Sequence, residues 1–557
     1  MKNTHITVKR SRFWYNYNIT RKVIRAMAFR MNSSQQYSFS DTLYNLTARE
    51  RKALENSWAK VFAEEVFPAI DEERFRVLYS DRAQSRFNTP VNVIVGAMII
   101  KEMFQISDDE VVENLMLDPR YQYALHTTSL DEQPLSDKSL SRFRKRCYDY
   151  ETLNNVDLFH DCVADLSKKI AKMMGITPRI RRMDSMMIEA NIRNLSRIEL
   201  LYTCVAKFVT YLHKLGRDDL LAGLEHYYNP KDYNQVFYYN NSEETIDRAK
   251  VILDDADRLL KNGDEFDDIT EYQLLVRCLS EQTVVEEGNR RLREKEDGGM
   301  TSSIMQNPSD PDATFRTKAG KDYRGYAANL EESVGANGSV VTDYQVEKNI
   351  YSDSSFFKDS IKRNGASEEP STIVADGAYC GKDNQDLARE NNISLVTTDV
   401  TGREVTDIYA DFELNEAGTR VLKCPAGHAP KSCSQGSHYL YVSFPRDVCL
   451  SCPHKEECHV KVHKKVCSLN ISSSAQNRAR SKRMQGTEQF KLFARIRNGV
   501  ETVPSILRRI YHADRMLVRG LTKTGFFFGC KVAALNVKKL LTYHRGTGNY
   551  AQNPLLV

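Results

Sequence analysis

The stretch Ser371-Thr-Ile-Val-Ala-Asp-Gly-Ala-Tyr-Cys-Gly381 constrains this chain more than any other. Ile373, Val374 and Ala375 form a short apolar run that stops abruptly at Asp376 and Gly377. A run of this length, bounded by polar residues and glycine, reads as a buried strand. A carboxylate at the C-terminal end of such a strand lies where α/β sheets place their ligand sites. Residues 382–390 (KDNQDLARE) have helical character, and Ile393-Ser-Leu-Val-Thr397 reads as the next strand. A strand–Asp–helix–strand unit points to an α/β chain and directs the search to other carboxylates that could meet Asp376.

The first candidate lies far upstream, in Ile180-Arg-Arg-Met-Asp-Ser-Met-Met-Ile188, where Asp184 interrupts an apolar run. A strand with an inward Asp and a helix start capped by Asp184 or Ser185 both fit the pattern. Asp310-Pro-Asp312 opens a new block with turn chemistry. Tyr323–Leu330 and Gly338–Val346 read as two strands joined through Gly335-Ala-Asn-Gly338, a hairpin signal. Ser354 to Lys362 reads as a helix before the Asp376 strand. Strand, hairpin, helix and strand, with Asp near the first and last strands, is the order of a ribonuclease-H-like core. Phe490 to Leu507 reads as one amphipathic helix bearing Arg497 and Glu501, with Arg508 just beyond. Offsets of four and seven put these three charges on one face.

Two Asp on neighbouring strands with a Glu on a later helix suit two-metal phosphoryl transfer. Mg2+ takes carboxylate oxygens and leaves positions for water and phosphate. Two ions about 3.5–4 Å apart stabilise the attacking and leaving oxygens of an in-line displacement.

Charge distribution bears on the partner. The net charge is only +5, yet the first forty residues hold eight Lys or Arg and no acid. Residues 241–299 are acid-rich, and the C-terminal third is basic again, as in Arg478-Ala-Arg-Ser-Lys-Arg483. Local basic patches suit a polyanion such as nucleic acid. Residues 1–40, with Phe13, Trp14, Tyr15 and Tyr17, read as a disordered basic arm. A nucleic-acid-binding arm is one reading; a frayed terminus, or translation begun upstream of the usual start with Met27 and Met31 as later candidates, is the favoured one. From Ser40 to about Ile176 the pattern is helical, with Thr47-Ala-Arg-Glu50 and Ser107-Asp-Asp-Glu110 as capping boxes and Pro90 opening an apolar helix. Its basic helix, with Arg144 and Arg146, could contact DNA or simply be a solvated face. Residues 196–300 show helical periodicity with acids outward.

Six of the twelve cysteines fall between Cys424 and Cys467. No signal peptide or uninterrupted apolar run of about 18 residues is evident, so a cytoplasmic chain without a membrane span is expected. There a cysteine cluster favours metal over disulfides. Cys449-Leu-Ser-Cys452 is half of a tetrahedral zinc site, and Cys424 with Cys433, His428 or Cys458 could supply the rest. The second half lacks tight spacing, and reduced thiols fit as well.

These motifs, in this order, resemble the DDE transposases of bacterial insertion sequences, in the insertion-sequence-1182-like branch of the insertion-sequence-4 clan. Pro90 to Arg146 is similar to the family's N-terminal helical domain. Asp184 and Asp376 match its two catalytic Asp, and Asp310-Pro-Asp-Ala313 with Gly325-Tyr326 matches the lead-in to its hairpin. Arg497-x3-Glu501-x6-Arg508 matches its Glu signature, with Ala494 at the usual Tyr and Arg508 at the usual Lys.

The resemblance implies a ribonuclease-H-like α/β core (a mixed sheet flanked by helices) over 177–545, with a helical insertion at 196–305 and a Cys-rich insertion at 410–475. A basic arm (1–40), a helical N-terminal DNA-binding domain (41–176) and a tail (546–557) complete the chain. It further implies that Asp184, Asp376 and Glu501 hold two Mg2+ or Mn2+ ions and that Arg497, Arg508, Arg144 and Arg146 contact DNA. A structural zinc on Cys424, Cys449, Cys452 and Cys458 is the remaining cofactor expectation. The implied activity is endonucleolytic cleavage at terminal inverted repeats followed by strand transfer. Double-stranded DNA, as element ends and target, is the implied partner of a nucleoid-associated homodimer or higher multimer. An inactive DNA-binding relic and a nuclease of the same fold are the competing readings.

Overall fold

The computed structural model describes residues 28–32, 41–80, 86–130, 132–136, 138–228, 244–261, 263–366, 369–397, 406–415, 417–437, 439–546 and 555. Most of the expected basic arm and of the tail lies outside the described residues. Of the arm, residues 28–32 are described, and Ala28 bridges Ser80 and Phe87.

A mixed sheet of six strands organises the chain, with helices on both faces. Its centre is β1 (Ile180–Glu189), which settles the reading of Asp184 as a strand residue. A short hairpin, β2 (Thr283–Glu286) and β3 (Asn289–Leu292), stands apart from it. Then come β4 (Thr314–Lys318), β5 (Lys321–Gly335), β6 (Gly338–Lys348), β7 (Ser371–Ala375) and β8 (Ile393–Thr397). β1 pairs antiparallel with β5 and parallel with β7, and β7 pairs parallel with β8. β4 and β6 share the other edge of β5, β4 along its first residues and β6 along the rest.

β1 is covered on both faces, which is why its sequence shows no clean alternation. On one face Ile180, Val334 and Val374 pack against Phe493 and Ile496 of the helix Glu488–Asn498. On the other, Met183, Ile373 and Ala375 meet Phe357 and Ile361 of the helix Asp353–Asn364 and Ala388 of the helix Lys382–Glu390. Buried charges between these layers are paired. Arg181 reaches Glu331 at 2.7 Å and Arg182 reaches Glu332 at 2.6 Å, with Lys539 on the same Glu332.

The helices expected as a separate domain at 41–176 share one continuous apolar core with the sheet and the last helix, Leu521–His544. That last helix holds them together. Lys531 pairs with Glu102 at 2.7 Å, and Asn536 bonds Val341 on β6 and Ser167 at once. Residues 197–305 form their own core around the helices Arg197–Lys214, Glu244–Leu260 and Thr270–Gln282. This segment is not all helical, because β2 and β3 turn back at its end. Their link is Glu287-Gly288, both at positive φ (50° and 83°), the geometry a two-residue hairpin turn requires.

The expected single helix Phe490–Leu507 is also interrupted. Glu488–Asn498 is followed by a tighter 3-10 turn, Gly499–Glu501, and then by Thr502–Arg509. Pro504 explains the change, since it offers no N–H to the Val500 carbonyl and its ring crowds that turn.

Candidate active site

Strand parity and register bring Asp184 and Asp376 beside one another. Asp184 lies two residues beyond Arg182 and so shares its face of β1. Asp376 likewise follows Val374. The parallel register pairs Arg182 with Val374. Continued by two residues, it sets Asp184 level with Asp376. The face they share is the one covered by Phe493 and Ile496, so the next turn of that helix comes over them. The Gly499–Glu501 turn packs on β1 and delivers Glu501. Arg497, one turn earlier, donates from Nη1 to Glu501 Oε1 at 2.8 Å.

Each acid is held differently. Asp376 caps its own turn, with Oδ1 accepting from the Ala378 N–H at 2.8 Å. Asp184 Oδ1 accepts from the Ser185 N–H at 2.9 Å. Burial pushes the Asp184 carboxyl above its usual range, and the neighbouring charge of Asp376 adds to that. The Ser185 N–H, Arg497 and Lys318 pull it back. Glu501 stays largely exposed, its side chain 65% accessible, so its only described restraint is Arg497. Beneath the acids, the Tyr379 hydroxyl is fully buried and donates to Asn329 Oδ1 at 2.7 Å. Burial, then the charges of Asp353, Asp184 and Asp376, push that phenol up, so it stays a donor.

Anchoring of the Glu501 turn depends on residues the sequence reading passed over. Arg182 donates from Nη1 to the Ile496 carbonyl at 2.8 Å and from Nε to Glu332. Gly499 makes room for it, because a Cβ there would lie 2.3 Å from Arg182 Nη1. Lys318, at the end of β4, is a second cation facing Asp184, and nothing in its own strand marks it. A buried Arg-Arg pair beside the candidate Asp was the available signal for Arg182.

The other expected cationic contacts are dispersed. Arg508 is exposed at the end of the helix Thr502–Arg509. Arg144 is buried, paired with Asp108 and stacked over Phe527 at 5.2 Å, so it braces the helices instead of presenting a free charge. Arg146 is half-buried over the Tyr79 ring at 4.7 Å. In the 478–483 run, Arg483 is committed to Asp407 and Asp411.

The all-oxygen donor set of Asp184, Asp376 and Glu501 fits a hard divalent cation in its chemistry. Among the described residues, no three His, Cys, Asp or Glu side chains already stand at coordinating distance, and Glu501 would have to leave Arg497 to join the two aspartates. Among the described residues, no helix is long and apolar enough to cross a membrane.

Two family models match the chain. Residues 423–541 match one described as Transposase DDE domain, and residues 49–146 match one described as Transposase domain (DUF772). The first span takes in Arg497, Glu501 and Arg508 and stops short of Asp184 and Asp376. No curated protein and no solved structure matches.

Proposed function

We propose that this chain is a DDE-type transposase that cleaves DNA at the ends of an insertion sequence and joins them to a target. The two transposase matches support transposase function in general. The observation that supports the finer reading is that Asp376 and Arg497 both act on the Asp184 charge, while Arg497 also bonds Glu501. The arrangement β6–β5–β1–β7–β8, antiparallel on one side of β1 and parallel on the other, supports a ribonuclease-H-like core.

Asp184 and Asp376 would hold divalent cations, with Glu501 completing the set once it leaves Arg497. Mg2+ or Mn2+ bound there supplies an activated water or 3′-hydroxyl and charge stabilisation at the departing oxygen. The protein's own residues do the rest. Released from Glu501, the Arg497 guanidinium is placed to take a DNA phosphate, for which its fork is suited. Arg508 offers a second backbone contact. Tyr379 and Asn329 hold the floor beneath Asp184 and Asp376, and Arg182 fixes the turn that carries Glu501. Duplex DNA, as element ends and target, is the partner, and pairing two ends calls for a dimer or higher multimer working on the nucleoid.

The test compares wild type with Asp376→Asn on DNA carrying the element's own ends, with Mg2+ or Mn2+. Cleavage by wild type, its loss in Asp376→Asn and retained end binding are expected. Equal cleavage by both proteins would remove the assignment. Binding without scission by either would favour an inactive relic, and cleavage without joining of a pre-cleaved end would favour a nuclease.

A further inference from the structure

The segment from residue 406 to residue 471 forms a small body of its own. Four short strands, Ser432–Gln435, Leu440–Pro445, Lys461–Val462 and Val466–Ile471, make its sheet. Its apolar core is thin, essentially Ile408, Phe412, Val421, Leu440, Phe444 and Ile471 with a few neighbours. A body of this size seldom holds itself together by apolar burial alone, and a disulfide or a structural metal usually assists. All its cysteines are free thiols, so no disulfide does so here.

Within it lies a cavity of about 30 Å³, enough for one water-sized occupant. Cys424, Cys449, Cys452 and Cys458 line this cavity from three separate backbone segments, together with Phe412 and Phe444. The backbone at each thiol is already folded. Cys424-Pro-Ala-Gly-His428 is a tight turn in which Gly427 N–H donates to the Cys424 carbonyl at 2.8 Å. The Cys424 N–H donates in turn to the His428 carbonyl at 2.9 Å. Gly427 at φ +82° permits that turn. Cys449 lies in the helix Arg446–Leu450, Cys452 lies two residues past its end, and Cys458 ends the helix Lys455–Cys458.

We propose that Cys424, Cys449, Cys452 and Cys458 bind one structural Zn2+ that holds this small body together. A single tetrahedral ion of borderline softness matches four sulfurs around a void of one-ion size, whereas an iron–sulfur cluster needs more room. The sulfurs ring the void without already meeting at a common point, so binding draws them inward. The four thiols lose their protons to solvent as four Zn–S bonds form. Cys433 does not line the cavity, and Cys467 is buried beside Cys449 without lining it. His428 and His454 border the void and are the alternative ligands.

The experiment uses the full chain, purified without chelator, and reads metal content and Co2+ spectra, neither of which needs DNA cleavage. About one zinc per chain is expected, and Co2+ added to the stripped protein should give the bands of a tetrahedral tetrathiolate. Cys452→Ser and Cys458→Ser should each weaken Co2+ binding about tenfold or more, while Cys433→Ser leaves it unchanged. Stripped wild type should become sensitive to limited proteolysis between residues 406 and 471, and added Zn2+ should reverse this. Wild type that neither carries zinc nor gives thiolate bands with Co2+ would overturn the proposal. So would equal loss of metal in Cys433→Ser and Cys452→Ser. Loss in His428→Ala with retention in Cys458→Ser would overturn the ligand set. A failed cleavage assay would leave all these readings standing, and a failed zinc assay would leave the active-site reading standing.

Discussion

Replacing Glu332 by glutamine tests the charged layer on which the candidate site sits. Glu332 is fully buried between Arg182 and Lys539. Burial pushes its carboxyl up, but the two cations outweigh that and hold it at about 2, against 4.5 for an ordinary Glu. The difference corresponds to about 3 kcal/mol in favour of the ionised folded state. Because the folded value lies below the unfolded one, this stabilisation is complete above about pH 4.5 and fades as pH falls toward 2. Lys539 is also pushed down, which for a lysine works against its charge, since its burial exceeds what a carboxylate shared with Arg182 returns. The carboxylate faces two cations and sets the sign. Lys539, whose side chain is still 17% exposed, takes off only part of the total. Glu332→Gln strands two cations in the core, and a loss of about 3 kcal/mol at pH 7 is expected. Urea denaturation followed by circular dichroism, at pH 7 and near pH 3.5, reads it. The gap between variant and wild type should narrow at the lower pH. A loss below about 0.5 kcal/mol, or a gap that does not narrow in acid, would refute the reasoning. Replacing Arg182, Glu332 and Lys539 together by apolar residues should recover much of the stability. It should not recover cleavage, because Arg182 also tethers Ile496 ahead of Glu501.

Asp184→Asn should raise the melting temperature in metal-free buffer, because burial already works against the Asp184 charge, and should abolish metal-dependent cleavage; a lower melting temperature would contradict that electrostatic reading. Burial disfavours a charged His160, but Asp161 and Asp343 outweigh it and raise its pKa to about 10. Its stabilisation is therefore complete below about pH 6.5 and lost as pH rises toward 10, so the penalty of His160→Gln in urea melts should shrink from pH 6 to pH 10. Gly325→Ala should destabilise the sheet by about 2 kcal/mol or more, since φ is +149° and a Cβ would stand 2.3 Å from the Ile188 carbonyl; an unchanged urea midpoint would refute it.

Local chemistry makes much of this chain legible in the sequence itself. The helix Lys382–Glu390 and the strand Ile393–Thr397 fall where their periodicity puts them. The capping boxes at Thr47 and Ser107 start the helices they announce, and the Ala336-Asn337 turn joins the expected hairpin. Such signals act within a few residues and can be read from them. The sequence also singled out Asp184 and Asp376, because each interrupts or ends an apolar run, and Glu501 through its spacing from Arg497 and Arg508. Whether the three share a face was a different question. It turns on β1 pairing with β7 in one parallel register, which brings Asp376 beside Asp184, and on where the Glu501 turn packs against β1. Contacts between segments so far apart in the chain leave no periodicity in either one. Burial of charge was the other matter left to the tertiary structure. Arg144 reads as part of a basic helix and is spent on Asp108 inside the core. Arg181, Arg182, Glu331 and Glu332 carry no distinguishing pattern in the sequence and are the paired centre of the sheet. A charge enters a protein interior only where a partner arrives from elsewhere in the fold, and only the folded chain supplies that partner.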